Sequence, residues 1–248
     1  MLLLHGVGDD SGCWGAAVHA LPSRTLVALD APGHGRTLLD EATEIIPEAQ
    51  AADATRVLTL LAASGPVDLI GHSMGASAAT LVAARHPHLI RRLVLEDPPW
   101  VHQDPARSQE DRAQQVADLT GWSTQYRELS DQEALAKAHR EEPGWPEEEY
   151  LPWVEAKRAC DPAVYTGLRF GLPGDWRTQV ARLTVPTLLV TGNPRRGSLV
   201  TEEVAAEAVR LCPVMRVSRH LRAGHTPRRE DRDGWVSAVA AFLGRGSI

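Results

Sequence analysis

Short apolar runs alternate along most of the chain with longer segments whose apolar positions recur every three to four residues. Residues 2–4, 24–30 (RTLVALD), 67–70, 92–97 (RLVLED), 186–191 (PTLLVT) and 214–217 read as strands. Residues 14–21, 47–63, 74–85, 201–211 and 229–243 read as helices. Continuous apolar runs of this length suit strands buried on both faces. Pro47 at an early helical position and Gly65 past the end punctuate one helix as start and stop. The alternation predicts an α/β fold, a mostly parallel sheet with helices on both faces. Such sheets bind ligands beyond the carboxyl ends of their strands. His5, Ser73, Asp97 and the loop bearing His225 all fall there.

The alternation stops between Pro98 and Trp176. This stretch is polar, with helical runs at 107–119, 131–140 and 147–158. It holds five of the seven tryptophans: Trp100, Trp122, Trp145, Trp153 and Trp176. It reads as a helical cap over residues 98–176, inserted into a core made of 1–97 and 177–248. The plain role of any one such tryptophan is to anchor a small helix. Taken together, Trp100, Trp122, Trp145 and Trp153 are expected to line an apolar or aromatic substrate pocket.

Composition narrows the class. A chain of 248 residues with 43% hydrophobic and 23% charged residues can bury one large core. A net charge of −6 gives no electrostatic reason to expect nucleic acid or an anionic membrane as partner. Met1-Leu2-Leu3-Leu4 is too short for a signal core and lacks basic residues. Cys13, Cys160 and Cys212 are far apart and show no metal spacing, so they are expected to be reduced thiols of a cytoplasmic protein. No metal or organic cofactor is implied. Gly33-His34-Gly35 lacks the Lys and Ser/Thr of a phosphate loop. Glu147-Glu148-Glu149 is expected to be a solvated helix face, and Arg195-Arg196 and Arg228-Arg229 surface pairs.

Chemistry enters with Gly71-His72-Ser73-Met74-Gly75, a G-x-S-x-G sequence directly after one apolar run and directly before a helix. Glycines on both sides leave room for a strained serine backbone and for close strand–helix packing. The serine hydroxyl then stands above the sheet at a helix N-terminus, where the dipole favours negative charge. A hydroxyl is a poor nucleophile until a base takes its proton. Of ten histidines, His225 follows a glycine in a loop between the last strand and the last helix, as a mobile base requires. His72 adjoins the serine and is expected to pack under the turn. His5 and His34 are expected to brace their loops, and His220 is the fallback base.

Over nearly its whole length the chain resembles the α/β-hydrolase superfamily. The matching pieces are Leu4-His5-Gly6-Val7-Gly8, Asp30-Ala31-Pro32-Gly33-His34-Gly35, the Ser73 pentapeptide, Val185-Pro186-Thr187-Leu188-Leu189-Val190-Thr191-Gly192 and Ala223-Gly224-His225. The resemblance implies that Ser73 is a nucleophile and His225 its base. It also implies an oxyanion hole formed by the backbone N–H groups of Met74 and Val7. The family's usual N-terminal hairpin has no counterpart before residue 2, which leaves the strand at 24–30 as a candidate exposed edge. Such an edge invites pairing with a second copy, so a homodimer is an expectation.

The acid departs from the family pattern. Most members place an Asp just after the strand that here ends at Thr191, but this chain continues Gly192-Asn193-Pro194-Arg195-Arg196-Gly197-Ser198. Some branches, certain lactone hydrolases among them, place the acid at the end of the strand that follows the nucleophile's helix. Here that strand ends in Glu96-Asp97. Neighbours on a strand point to opposite faces, so only one can meet His225. The spacing favours Asp97, with Glu96 the alternative.

The resulting reading is a serine hydrolase that cleaves an ester, lactone or thioester of a small apolar or aromatic molecule through an acyl-enzyme. A carbon–carbon hydrolase, or a lyase or cyclase using the same Ser–His pair, is the first rival. A ligand-binding protein with a degenerate site is the second.

Overall fold

In the computed structural model, which describes residues 1–15, 21, 25–39, 47–100, 109–167 and 172–244, six strands form one sheet. They are β1 (Leu2–Leu4), β2 (Val27–Leu29), β3 (Val67–His72), β4 (Ile90–Glu96), β5 (Thr187–Thr191) and β6 (Met215–Arg219). Their order is β2-β1-β3-β4-β5-β6, and every pairing is parallel. The chain runs outward from β1 to β2 and then returns to β3 on the other side of β1. That reversal opens a crevice at the carboxyl ends of β1 and β3, the usual ligand position in wound sheets.

Ten α-helices complete the described residues: α1 (Pro47–Leu61), α2 (Met74–Arg85), α3 (Gln109–Glu128), α4 (Asp131–Glu141), α5 (Glu147–Ala159), α6 (Ala163–Gly167), α7 (Trp176–Val180), α8 (Glu202–Leu211), α9 (Pro227–Glu230) and α10 (Arg232–Leu243). Alternate side chains of each strand feed opposite faces of the sheet. Leu2 and Leu4 join one core with Ala54 and Leu58 of α1, Ala76 and Ala79 of α2, and Ala205 and Ala208 of α8. Leu3 joins the other, with Trp14, Ile70, Val94, Trp235 and Val239. All six strands and the helices after β3 and β5 thus lie where the apolar pattern puts them.

The structure departs from the pattern at several boundaries. The helix expected at 229–243 is broken at Asp231, whose φ of −139° and ψ of 56° are not helical, and so divides into α9 and α10. A 3-10 turn over Ser11–Trp14, capped by Asp10, precedes the helix expected at 14–21 and overlaps it only at Trp14, and residues 16–20 lie outside the described residues. So do Arg24 of the second strand and residues 107 and 108 of the first cap helix. Trp100 and Trp176 stack at 5.3 Å inside the large core.

Helix α2 packs unusually close to the sheet. Residues 74–83 are all buried, and most are Ala, Gly or Ser. A Cβ on Gly75 would sit 2.2 Å from the Leu4 carbonyl oxygen, and one on Gly71 would sit 2.3 Å from the Gly75 carbonyl oxygen. No side chain fits in either place.

Helices α3 to α5 build their own small core from Tyr126, Ala134, Ala138, Trp145, Tyr150, Trp153 and Val154. Buried charges tie this insertion to the sheet. Asp9 accepts from the guanidiniums of Arg228 (2.9 Å) and Arg229 (3.1 Å). Arg229 also donates to Glu149 of α5 (2.9 Å), and the Lys157 ammonium donates to the Gly8 carbonyl (2.7 Å). The expectation of a solvated Glu149 and a surface Arg228-Arg229 pair is therefore wrong: each of the three is at most 3% exposed. The reason is mutual neutralisation. With Lys157 and Glu96 the cluster contains three cations and three anions, and the guanidiniums of Arg228 and Arg229 also stack on Trp14 and Trp145.

Two outcomes follow from this packing. Gly75→Ala should lose about 3 kcal/mol of stability or fail to fold, because backbone rather than a movable side chain occupies the space. A denaturant midpoint and slope unchanged from the parent would contradict it. The second outcome concerns Glu142, whose carboxyl is pushed up to about 7 by burial, with Glu230 and Glu141 opposing ionisation against the pull of Arg229. A raised carboxyl means that ionisation opposes folding, so this penalty grows as pH rises from about 4.5 through about 7. Glu142→Gln should therefore stabilise by about 1 kcal/mol at pH 8, after allowance for solvent screening, and by nothing below pH 4.5. Melting curves at the two pH values decide it.

Candidate active site

Ser73 is the single residue between β3 and α2. Its φ of 51° and ψ of −118° are reached only under strain by an L-residue, and the packing of Gly71 and Gly75 enforces them. Met74 begins α2, so its N–H has no partner within the helix. Gly6, in the loop after β1, approaches so closely that a Cβ on it would stand 3.0 Å from Ser73 Cβ. The next residue, Val7, makes no backbone hydrogen bond to a described residue through its N–H. Both N–H groups expected to face an oxyanion thus belong to segments in contact with the serine, and neither donates to the backbone of another described residue.

Register explains where the acid stands. His72 of β3 lies opposite Glu96 of β4. Ser73 and Asp97 are the next residues on these adjacent strands, which lie about 4.8 Å apart. The Ser73 N–H donates to the Glu96 carbonyl (2.9 Å), and the Asp97 N–H donates to the Val190 carbonyl (2.8 Å). Asp97 also has a positive φ of 41°, so both strands end in a left-handed residue.

The two carboxylates of Glu96-Asp97 diverge as alternation requires. Asp97 Oδ2 accepts from His225 Nδ1 at 2.6 Å, while the carboxylate is fully buried. Its other partners come from the segment after β5: the Ser198 hydroxyl (2.7 Å) and the N–H groups of Leu199 (2.8 Å) and Val200 (3.1 Å). Glu96 turns to α9 instead, accepting from the Arg228 N–H (2.8 Å) and its guanidinium (3.3 Å). Burial pushes the Glu96 carboxyl up, with Arg228 pulling the other way. Asp97 is therefore the carboxylate on the imidazole, and Glu96 anchors the helix that follows it. The segment from Gly192 to Val200 supplies no acid but seats the one that β4 brings. Ser198 gave no signal in the sequence, because a hydroxyl that holds a carboxylate looks like any loop serine.

A carboxylate only accepts, so His225 Nδ1 carries the proton and Nε2 is left with its lone pair on the opposite side of the ring. The imidazole is one-third exposed. The Ser73 hydroxyl, at 7% residue exposure, makes no direct hydrogen bond to a described residue. Links of this kind commonly tighten only around a substrate. The loop carrying the base is fixed from below by His72, whose Nε2–H donates to the His225 carbonyl (3.1 Å) with the two rings 4.9 Å apart. Burial, then Arg228 and His225, hold His72 well below the ordinary imidazole range.

Three other histidines, His5, His34 and His220, are occupied. His5 Nδ1–H donates to the Gly6 carbonyl (2.7 Å), and its Nε2 accepts from the Ala31 N–H (2.9 Å), which ties the loop after β1 to the loop after β2. His34 braces the Pro32 carbonyl (2.9 Å) and is pushed down to about 3 by burial and by His5. His220 pairs with Asp231 (2.8 Å) and Ser218 (3.0 Å) and does not contact Asp97.

The tryptophans expected to line a pocket are mostly spent on packing. Trp100 is 1% exposed in the large core, and Trp145 and Trp153 are 7% and 3% exposed in the core of the insertion. They have almost no surface to offer a ligand. Trp122 alone of the four is half-buried, with its indole N–H on Glu141 (3.0 Å) and its ring 5.0 Å from the Lys157 ammonium. Among the described residues no group of His, Cys, Asp and Glu is arranged to hold a metal, all three cysteines are free and buried, and no helix is long and apolar enough to cross a membrane.

Comparison with known proteins agrees with this architecture. A segment of 102 residues is 38% identical to pyrrolizixenacetamide deacetylase of Xenorhabdus hominickii, covering 38% of this chain and 36% of that protein. A segment of 100 residues is 34% identical to lipase LipV of Mycobacterium tuberculosis, covering 40% of this chain and 36% of the lipase. The chain thus matches only about a third of the length of these curated relatives. The crystal structure of E-2-(acetamidomethylene)succinate hydrolase superimposes with a TM-score of 0.78 over 98% of this chain and 90% of that one, at 23% identity. The model of the alpha/beta hydrolase family matches residues 1–239, and the chain belongs to that family.

Proposed function

We propose that the protein is a serine hydrolase that cleaves a carboxylic ester, lactone or thioester through an acyl-enzyme. The observation that carries this reading is the Asp97–His225 hydrogen bond at 2.6 Å, set one residue beyond the register pair that also ends in Ser73. His225 Nε2 takes the proton of the Ser73 hydroxyl as it attacks the substrate carbonyl. The N–H groups of Val7 and Met74 hold the oxyanion, at on the order of 3 kcal/mol each. The imidazolium, steadied by Asp97, then protonates the leaving group. In the second half His225 activates water, which releases the acid and frees Ser73. The helical insertion forms the cap over this centre. Serine at the elbow, in place of the aspartate of dehalogenases and epoxide hydrolases, is what makes the intermediate an acyl ester.

Kinship with a lipase and a deacetylase supports acyl transfer to water as the reaction class. The acid at the end of β4 supports the branch to which certain lactone hydrolases belong. The substrate in this reading is a small molecule.

A fluorophosphonate should label the parent protein at Ser73, and Ser73→Ala or His225→Ala should abolish both labelling and turnover of a panel of aryl esters and lactones. Folded parent protein that never labels would mark a binding protein instead. Labelling without any trapped acyl-Ser73 during turnover would favour carbon–carbon cleavage or a lyase. Asp97→Asn should lower kcat by about 10⁴-fold. Glu96→Gln should leave kcat within about tenfold while lowering the melting temperature, because it loosens Arg228 rather than the imidazole. Equal and mild effects of the two changes would refute the assignment of the acid.

A further inference from the structure

The loop that carries His225 is braced by a carboxylate that takes no part in the hydrolytic steps proposed above. Glu230, at the end of α9, accepts three hydrogen bonds from the residues on either side of His225. One oxygen takes the Gly224 N–H (2.7 Å). The other takes the Thr226 N–H (3.0 Å) and the Thr226 hydroxyl (2.9 Å). A helix cap accounts for the Thr226 contacts, since that residue is the N-cap of α9. It does not account for the Gly224 contact, which lies outside the helix on the far side of the histidine.

The brace completes a set of restraints on one residue. Asp97 fixes the His225 ring, His72 fixes its carbonyl, and Glu230 fixes the amides of both neighbours. Gly224 is glycine because the Arg196 carbonyl oxygen would be 2.1 Å from a Cβ there. The loop therefore has little apolar side chain with which to hold itself. Apart from Ala223, it depends on hydrogen bonds for its shape.

We infer that Glu230 is a positioning residue for the base: its carboxylate clamps the backbone on both sides of His225 and so sets where Nε2 stands relative to Ser73. The inference rests on the serine-hydrolase reading. A base displaced by about 1 Å can lose on the order of a hundredfold in rate without loss of substrate binding.

The test uses the full chain with a fluorophosphonate and p-nitrophenyl acetate as probes. In Glu230→Gln the side chain keeps its shape, but an NH₂ group must oppose one of the backbone donors. It should keep KM within about twofold and lower both kcat and the rate of Ser73 phosphonylation by about 10- to 100-fold. The low-field proton resonance of the His225 Nδ1–H on Asp97 should shift or broaden in the same variant. Thr226→Val, which removes one of the three bonds, should lie between it and the parent. Phosphonylation at the parental rate in Glu230→Gln, with the Nδ1–H resonance unmoved, would overturn the positioning role while leaving the hydrolase reading intact. A parent protein that does not label at all would instead overturn the reading on which the role rests. Should Glu230→Gln fail to fold, the rate and resonance of Thr226→Val decide the matter by the same criteria.

Discussion

The structure depends on the register in which β3 pairs with β4. Once His72 stands opposite Glu96, the residues that follow both strands are neighbours, and one is the serine while the other is the aspartate. The hydrogen bond from the Ser73 amide to the Glu96 carbonyl extends the ladder by one step and locks the pair. A slip of one residue would exchange Glu96 for Asp97 in front of the imidazole and turn the remaining carboxylate into the buried core. Register is strongly specified here, because the strands are buried on both faces and a slip would invert every side chain along them.

Electrostatics around this pair disfavour a charge on the buried imidazoles beside the serine. His72, His5 and His34 are buried, and each is held below the ordinary imidazole range. Asp9 is held well below the carboxylate range, since Arg229, Lys157 and Arg228 outweigh the effect of its burial. The balanced cluster beside the site is worth little as net stability, because desolvation offsets attraction, but removing any one member leaves an unpaired charge in the interior. Its evident use is geometric: it joins the loop after β1, helix α5 and helix α9 at one point.

Much of this was legible in the sequence. The six strands, the helices of the sheet layers and the strand–Ser–helix turn are local patterns, and each residue's neighbours carry the signal. Other features are not local. Glu96 and Asp97 could not be separated by counting, because the choice depends on which residue of β3 each one faces. Arg228, Arg229 and Glu149 read as surface groups because burial of a charge depends on partners up to 220 residues away in the chain. The tryptophans read as a pocket because an aromatic residue carries the same signal whether its neighbours are a ligand or one another. The lack of a carboxylate between Thr191 and Thr201 is what turned attention to the Glu96-Asp97 pair. The seat provided by Ser198, Leu199 and Val200 became visible only with coordinates.

Ser73 and Asp97 share one further property: both are L-residues in left-handed backbone, side by side, in a chain whose other positive-φ positions, among the described residues, are all glycine. Each such residue stores on the order of 1–3 kcal/mol. Glycine would relieve the strain at both places, but at Asp97 it would also leave Ser198, Leu199, Val200 and His225 without their acceptor, and at Ser73 it would remove the hydroxyl. The two strained residues are therefore held in place by what their side chains do, not by what the backbone prefers.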